Sequence, residues 1–395
     1  MITTLGDCVS LLGDGLHGTP IYSEDGDYDF INGNNLSEGK IVIKEDTKRV
    51  SESEYKKYKK NLNDRTILVS INGTLGNVGT YNNEKVILGK SACYFNVKPN
   101  IDKNFIKYTV STNTFKYYSE TFATGATIKN LSLAQIKKYK FQLPPLPTQQ
   151  KIASILSAYD NLIQNYKKQI EALQTTASEL YKEWFVRFRF PGWQNAKFEN
   201  GIPEGWKVEI FSKYVDVMSG GTPSTEKEEY YNGTIPFFTP KDCDSNFYVF
   251  KTQINITEEG LKHCNSHLYP KDTIIITARG TVGNVVLLGI PMAMNQSCFA
   301  LKSDLLQSPS FLFFAIKTEV MKLKKMANGG VFDTIIVKTF DHIKLTVPNM
   351  EIVKNFNIHI NPIMNRMYSL QQQITNLTQQ RDLLLPRLMS GKLEV

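Results

Sequence analysis

From Gln149 to Phe190 the chain carries no glycine or proline, and its apolar residues step by three and four without a slip: Leu156, Tyr159, Ile163, Tyr166, Ile170, Leu173, Ala177, Leu180 and Trp184. That alternation is a heptad seam, narrower than the stripe of an ordinary surface helix, and it calls for a partner helix along one face. It returns 204 positions later at Ile360, Ile363, Met367, Leu370, Ile374, Leu377, Arg381, Leu384 and Leu388, with the arginine as one polar intruder. A single run of this kind could serve as a core helix of a compact domain. The same register twice at one offset predicts that two long helices pair with each other. About 35 residues at about 1.5 Å each make a strut of roughly 50 Å. Pro362 is expected to kink the second helix or, with Asn361 as cap, to start a fresh one, and Pro386 to bend or end it.

The 395 residues suffice for about two to three domains, and 41% hydrophobic content is ordinary for globular protein. No apolar run approaches the roughly 18 residues of a membrane span, and Met1 to Ser10 lacks a basic start followed by an apolar block, so a cytoplasmic location is expected. Five scattered cysteines, never in a CxxC pair, fit a reducing compartment. The net charge of +8 is spread unevenly, with 19 basic against 15 acidic residues over 1–146 but 16 against 16 over 191–347. A mild positive balance admits nucleic acid without requiring it, and any DNA face in the neutral part must come from arrangement.

The segment before the first helix reads as mixed α/β. Thr66 to Ile71 is a strand rich in β-branched residues, Asn72 to Gly79 a glycine-punctuated turn, Val86 to Leu88 and Cys93 to Val97 further strands, and Asn104 to Phe122 a helix. The segment from Trp206 to Pro348 replays this order: a strand Thr273 to Ala278, a turn Arg279 to Val285, and a helix Ser310 to Met326. Tyr28 to Asn35 corresponds to Ile235 to Asp242 at an interval of 207, and Leu143-Pro144 to Val347-Pro348 at 204. The unit is therefore about 205 residues, used twice. The expected fold is α+β: two tandem, pseudo-symmetric mixed α/β domains over residues 1–145 and 191–348, separated by an antiparallel two-helix coiled coil formed by 146–190 and 349–395. Antiparallel pairing would place the two globular parts at opposite ends of the strut, an arrangement suited to duplex DNA, whose groove face recurs every roughly 34 Å.

Several stretches also resemble a known family. Leu143-Pro144-Pro145-Leu146-Pro147-Thr148-Gln149-Gln150-Lys151-Ile152-Ala153, Glu183-Trp184-Phe185-Val186-Arg187-Phe188, Gly201-Ile202-Pro203-Glu204-Gly205-Trp206, Ser219-Gly220-Gly221-Thr222-Pro223 and the ending Leu384 to Leu393 are similar to the specificity subunit of type I restriction-modification systems. The resemblance spans essentially the whole chain. It implies two target recognition domains, each reading one half of a split site on double-stranded DNA, with the paired helices as a ruler for the unread spacer. Two methyltransferase subunits are implied as partners, with restriction and translocase subunits joining through them. The chain departs from the pattern at Leu5-Gly6-Asp7, which lacks the Ile-Pro-Glu-Gly-Trp lead-in found at 202–206, and at Pro362.

No catalytic constellation is expected in this chain. It shows no glycine-rich methyltransferase cofactor loop, Asn361-Pro362-Ile363 is not the Asn-Pro-Pro-aromatic motif of amino-methylation, and Gly89-Lys90-Ser91 imitates a phosphate loop whose first glycine is replaced by Glu84. S-adenosylmethionine, ATP and magnesium are expected on the partner subunits, with no cofactor on this one. His263, Cys264, His267 and Cys243 suggest zinc, but spacing of this kind arises by chance and solvated loop side chains account for it, so no metal is expected.

For DNA reading, the candidates are polar residues on glycine loops and strand ends. They are His17, Thr19, Asn32, Asn34, Asn35 and Asn72 in the first domain, and Thr222, Thr225, Thr239, Lys241, Asp242 and Arg279 in the second. Asparagine can bond adenine in bidentate fashion, and arginine guanine. Asparagine and glycine also cluster in turns for backbone reasons alone. The basic run Tyr55 to Lys60 follows Glu52 and Glu54, which favours a solvated helix face over a phosphate site. Thr127, Lys129 and Asn130, matched by Val331, Asp333 and Thr334, are weaker candidates. Two other readings stay open: a coiled-coil adaptor whose globular parts bind proteins, and the specificity subunit of a type IIB-like single-polypeptide restriction-methylation enzyme.

Overall fold

The computed structural model describes residues 1–243, 246–304, 306, 308–326 and 334–395. The chain divides into two compact units, Met1–Ile163 with Leu377–Val395, and Gln164–Asn376. Each unit thus takes a globular part and a stretch of both long helices, whereas the sequence division kept the helices as separate segments.

In the first unit a six-stranded sheet has the order Val9–Asp14, Ala92–Val97, Thr66–Ser70, Val78–Thr80, Gly39–Ile41, Leu36–Ser37. The central strands are covered on both faces, so they read as continuous apolar runs instead of alternating ones; Ile67, Leu68 and Val69 are all fully buried. A second, three-stranded sheet has Tyr28–Ile31 between Arg49–Val50 and Val86–Leu88. The second unit repeats the plan. Its five-stranded sheet runs Asp216–Ser219, Cys298–Lys302, Ile274–Thr277, Val285–Leu288, Tyr248–Val249, and its three-stranded sheet has Tyr231–Phe238 between Ile254–Ile256 and Ala293–Met294.

The single helix expected over Asn104 to Phe122 is two helices, Lys103–Val110 and Asn113–Phe122. Thr112 ends one and starts the other: its hydroxyl donates to Thr109 O at 2.9 Å and accepts from Phe115 N at 3.1 Å, and such a cap competes with helix continuation even without glycine or proline. The helix expected from Ser310 occupies Pro309–Met326.

The first long helix is α-helical over Leu146–Tyr181 and continues as a π-helical turn over Lys182–Val186. The second runs Met350–Met389 without a break, so neither Pro362 nor Pro386 starts a new helix or ends this one. Pro362 lies on an exposed face, and the carbonyl it deprives of a donor belongs to Ile358, 70% exposed, where water can satisfy it.

Within each unit the two helices run antiparallel. In the first, Leu156 and Leu388 share one core with Ile152, Ala153, Leu384 and Leu385. In the second, Gln169 Oε1 accepts from Arg366 Nη2 at 3.2 Å, while Trp184 packs on Phe356 with ring centroids 5.7 Å apart. On the first helix Leu156, Ile163, Ile170, Ala177 and Trp184 are buried; Tyr159, Tyr166, Leu173 and Leu180 are half-buried. On the second Ile360, Met367, Leu370, Ile374 and Leu388 are buried, Ile363, Leu377 and Leu384 half-buried, and Met364 is buried besides. Among the described residues no helix is long and apolar enough to cross a membrane.

Candidate nucleic-acid interface

Strand polarity gathers the candidate loops of the first unit. Val9–Asp14 and Thr66–Ser70 both pair antiparallel with Ala92–Val97, so two strand ends and one strand start share an edge. Tyr28–Ile31, parallel to Val86–Leu88, ends on the same rim. Backbone hydrogen bonds lace the loops together: Leu16 N to Leu88 O at 2.7 Å, Gly89 N to Ile31 O at 2.8 Å, Ile71 N to Ser91 O at 2.9 Å and Leu131 N to Ile71 O at 2.8 Å. The approach is close enough to need glycine, since a Cβ at Gly15 would stand 2.2 Å from Gly89 O.

The second unit builds the same rim from different residues. Gly221 N donates to Met294 O at 3.1 Å, Asn295 N to Phe238 O at 3.0 Å and Ala278 N to Ser297 O at 2.7 Å. A Cβ at Gly220 would stand 2.2 Å from Asn295 O. Both glycine turns are fastened at their bases in one way. Ser70 Oγ accepts from Asn77 N at 2.8 Å, and Thr277 Oγ1 from Asn284 N at 3.0 Å, which leaves the tips around Asn72 and Arg279 on display.

The structure divides the candidate residues into displayed and engaged. His17, Thr19, Asn34, Thr222, Lys241 and Arg279 are exposed on these loops. His17 Nε2 is paired with Asp14 Oδ2 at 2.6 Å, and the Thr222 hydroxyl with Gln296 Oε1. Asn72 is half-buried, bridged to Asn130. Thr225 is exposed in the Ser224–Lys227 turn. Asn35 and Asp242 are a correction, because both are engaged with backbone and hydroxyl groups around their own turns. Asn35 is 4% exposed; its Oδ1 accepts from Asn32 N at 3.0 Å while Nδ2 donates to Val42 O and Thr47 Oγ1. Asp242 Oδ2 accepts from Thr239 N at 2.7 Å and Thr239 Oγ1 at 2.8 Å, and Oδ1 from Gln253 N at 2.8 Å. These are equivalent caps of two short turns, and side chains so engaged are held to their turns and not presented to a base edge. Asn32 is partly engaged, its Oδ1 accepting from Ser91 Oγ at 2.8 Å.

Lys90 and Gln296, exposed between the laced strands, stand on the rims and were not singled out in the sequence. For Lys90 the sequence signal is the turn Gly89-Lys90-Ser91, where glycine lets backbones approach closely; Gln296 carries no such signal. Residues 124–130 form a further exposed loop on the first rim, closed by Asn130 N to Thr124 O at 2.7 Å and tied to the glycine turn by Gly73 N to Lys129 O at 3.1 Å. Of the equivalent residues, Val331 and Asp333 lie outside those described. The basic run is the helix Glu52–Tyr58, where Lys56 pairs with Glu52 at 3.0 Å, Lys57 with Glu54 at 3.8 Å, and Tyr55 stacks on Tyr28. Among the described residues no group of histidine, cysteine and acidic side chains is placed to hold a metal ion. His263 stacks on Tyr230, and the Cys264 thiol donates to Leu261 O at 3.4 Å.

Comparison with known proteins gives a consistent result. The family model described as the type I restriction modification DNA specificity domain matches twice, over residues 15–175 and 203–382. A type I restriction enzyme specificity subunit of Methanocaldococcus jannaschii is 26% identical over 306 residues, covering 75% of this chain and 71% of the relative. The HindI specificity subunit of Haemophilus influenzae is 23% identical over 345 residues, 72% of this chain and 75% of the relative. Among solved structures, a type I restriction-modification S subunit from M. genitalium aligns over 98% of this chain and 96% of its own at a TM-score of 0.59 and 19% identity, a likeness of fold.

Proposed function

The chain belongs to the family of type I restriction-modification DNA specificity subunits, and from that premise we propose that each of its units reads one half of a bipartite, asymmetric duplex site. The observation that carries this reading is one rim built twice with different side chains. Exposed Asn34 is answered by exposed Lys241, and half-buried Asn72 on one glycine turn by exposed Arg279 on the other, while the fastenings beneath them recur. Equal frameworks with unequal tips suit two unlike half-sites, because base identity is read by side-chain donors and acceptors while the framework sets their placement.

The paired helices act in this reading as the ruler for an unread spacer. The chain itself carries no chemistry; it brings two methyltransferase subunits to the site, with S-adenosylmethionine there and restriction subunits using ATP and magnesium joined through them, so that an adenine in each half can be flipped out for methylation. The test is selection from random duplexes with the full chain, alone and with its methyltransferase partner. Two short fixed segments separated by a constant unread interval are expected. Recovery of no preferred sequence in either condition would overturn the proposal in favour of a protein-binding adaptor.

A further inference from the structure

On the second long helix the column Ile360, Met367, Ile374 and Leu388 is buried, and Arg381 fills the remaining heptad place in it. Arg381 Nη1 donates to Asp160 Oδ1 on the first long helix at 2.8 Å. Asp160 Oδ2 accepts from Lys107 Nζ at 2.8 Å and from Tyr108 Oη at 2.6 Å, both on the globular helix Lys103–Val110. Arg381 completes its fork on Asp382 Oδ1 through Nε at 3.0 Å and Nη2 at 2.8 Å. The carboxylate is thus shared by three elements, with only 20% of its side chain exposed and 27% of Arg381.

We propose that the Asp160–Arg381 pair is the register lock of the two long helices, a positioning contact that sets the spacer length the subunit accepts. This rests on the reading of the helices as a ruler. An apolar seam alone specifies register poorly, because a slide by one heptad brings apolar residues opposite apolar residues again. The charged pair breaks that degeneracy. Slid seven residues one way, Asp160 meets Leu388 and Arg381 meets Lys167; slid the other way, they meet Ile374 and Ala153. Each slip leaves the half-buried Arg381 without its cross-helix carboxylate, which disfavours the slipped state. Seven residues at about 1.5 Å are about 10 Å, the length of about three base pairs. Lys107 and Tyr108 anchor the carboxylate to the globular part, so the lock ties the helix pair to the globular part of its own unit.

Arg381→Met removes the cross-helix contact while leaving Asp160 paired with Lys107 and Tyr108, and Met continues the apolar column. Binding of the full chain, with its methyltransferase partner, is measured on duplexes holding both half-sites fixed and varying the spacer one base pair at a time by up to four either way. The wild type is expected to select one spacer sharply. Arg381→Met should lose at least tenfold of that discrimination, with the gain concentrated about three base pairs from the preferred length and with half-site preference unchanged. Arg381→Lys should retain most of it. Undiminished discrimination in a folded Arg381→Met protein would overturn the lock, as would loss spread evenly over half-site sequence and spacer. Should that variant not fold, Asp160→Asn is read the same way, and full discrimination there would equally overturn the proposal. A wild-type chain indifferent to spacer length sinks the ruler itself, a result distinguishable from failure of the lock because it needs no variant.

Discussion

Arg279→Ala isolates base reading from folding, because the turn that carries this residue is held without it. Ala278 N and O are bonded to Ser297 and Ile335, Thr277 Oγ1 holds Asn284, Gly280 takes the positive φ, and the arginine is exposed. A substitution at such a site changes stability by no more than about 0.5 kcal/mol. A bidentate arginine-to-guanine contact is worth about 1–3 kcal/mol of discrimination, so at about 1.4 kcal/mol per tenfold the expected loss is roughly 5- to 150-fold at one base pair. The assay is equilibrium binding to duplexes carrying each of the four bases at each position of either half-site, repeated across salt concentrations. Loss should fall at a single position in the half read by the second unit, with the salt dependence unchanged. A uniform loss over both halves, with the slope of log affinity against log salt reduced by about 0.9, would make Arg279 a phosphate contact and refute its assignment as a reader.

Asn35→Ala removes a buried amide with three hydrogen bonds and should cost about 1–3 kcal/mol, seen as a lower thermal midpoint, with half-site preference of the folded protein unchanged; altered base preference at wild-type stability would return Asn35 to the readers. Asp160 provides a pH test. Burial pushes its pKa up, but the Lys107 ammonium and the hydrogen bonds from Lys107, Tyr108 and Arg381 outweigh burial and hold it below the ordinary carboxylate value. A folded value below the unfolded one of about 3.9 means that its stabilisation is fully present above that pH and is lost as pH falls through the folded value. Urea unfolding between pH 2 and 7 should therefore show a shallower acid limb in Asp160→Asn than in the wild type, and superimposable slopes would refute the linkage.

Periodicity made the two long helices legible, since steps of three and four leave a chain little else to do with its apolar residues. The repeat at intervals of 204 and 207 made the tandem organisation legible, and the glycine turns marked where backbones must cross closely. Polar candidates were less tractable. Asn34 and Asn35 are neighbours of the same type, yet one is displayed and the other buried in a cap, a difference set by the direction of a single short turn. Pro362 does not break its helix, and Ile358, whose carbonyl loses a donor to it, is an exposed residue. The break at Thr112 has no glycine or proline to mark it, because there a hydroxyl caps one helix and starts the next.

What the linear order determined is therefore everything carried by short-range pattern: strand, turn, seam and duplication. Only the tertiary structure decided which loops share a rim, because that depends on pairing strands such as Val9–Asp14 and Ala92–Val97, some eighty residues apart, in one register. It also decided that Arg381, a blemish in an apolar column, faces Asp160 across 221 residues of chain. No local preference encodes such a meeting, since the energy that selects it arises only once both charges have been taken out of water together.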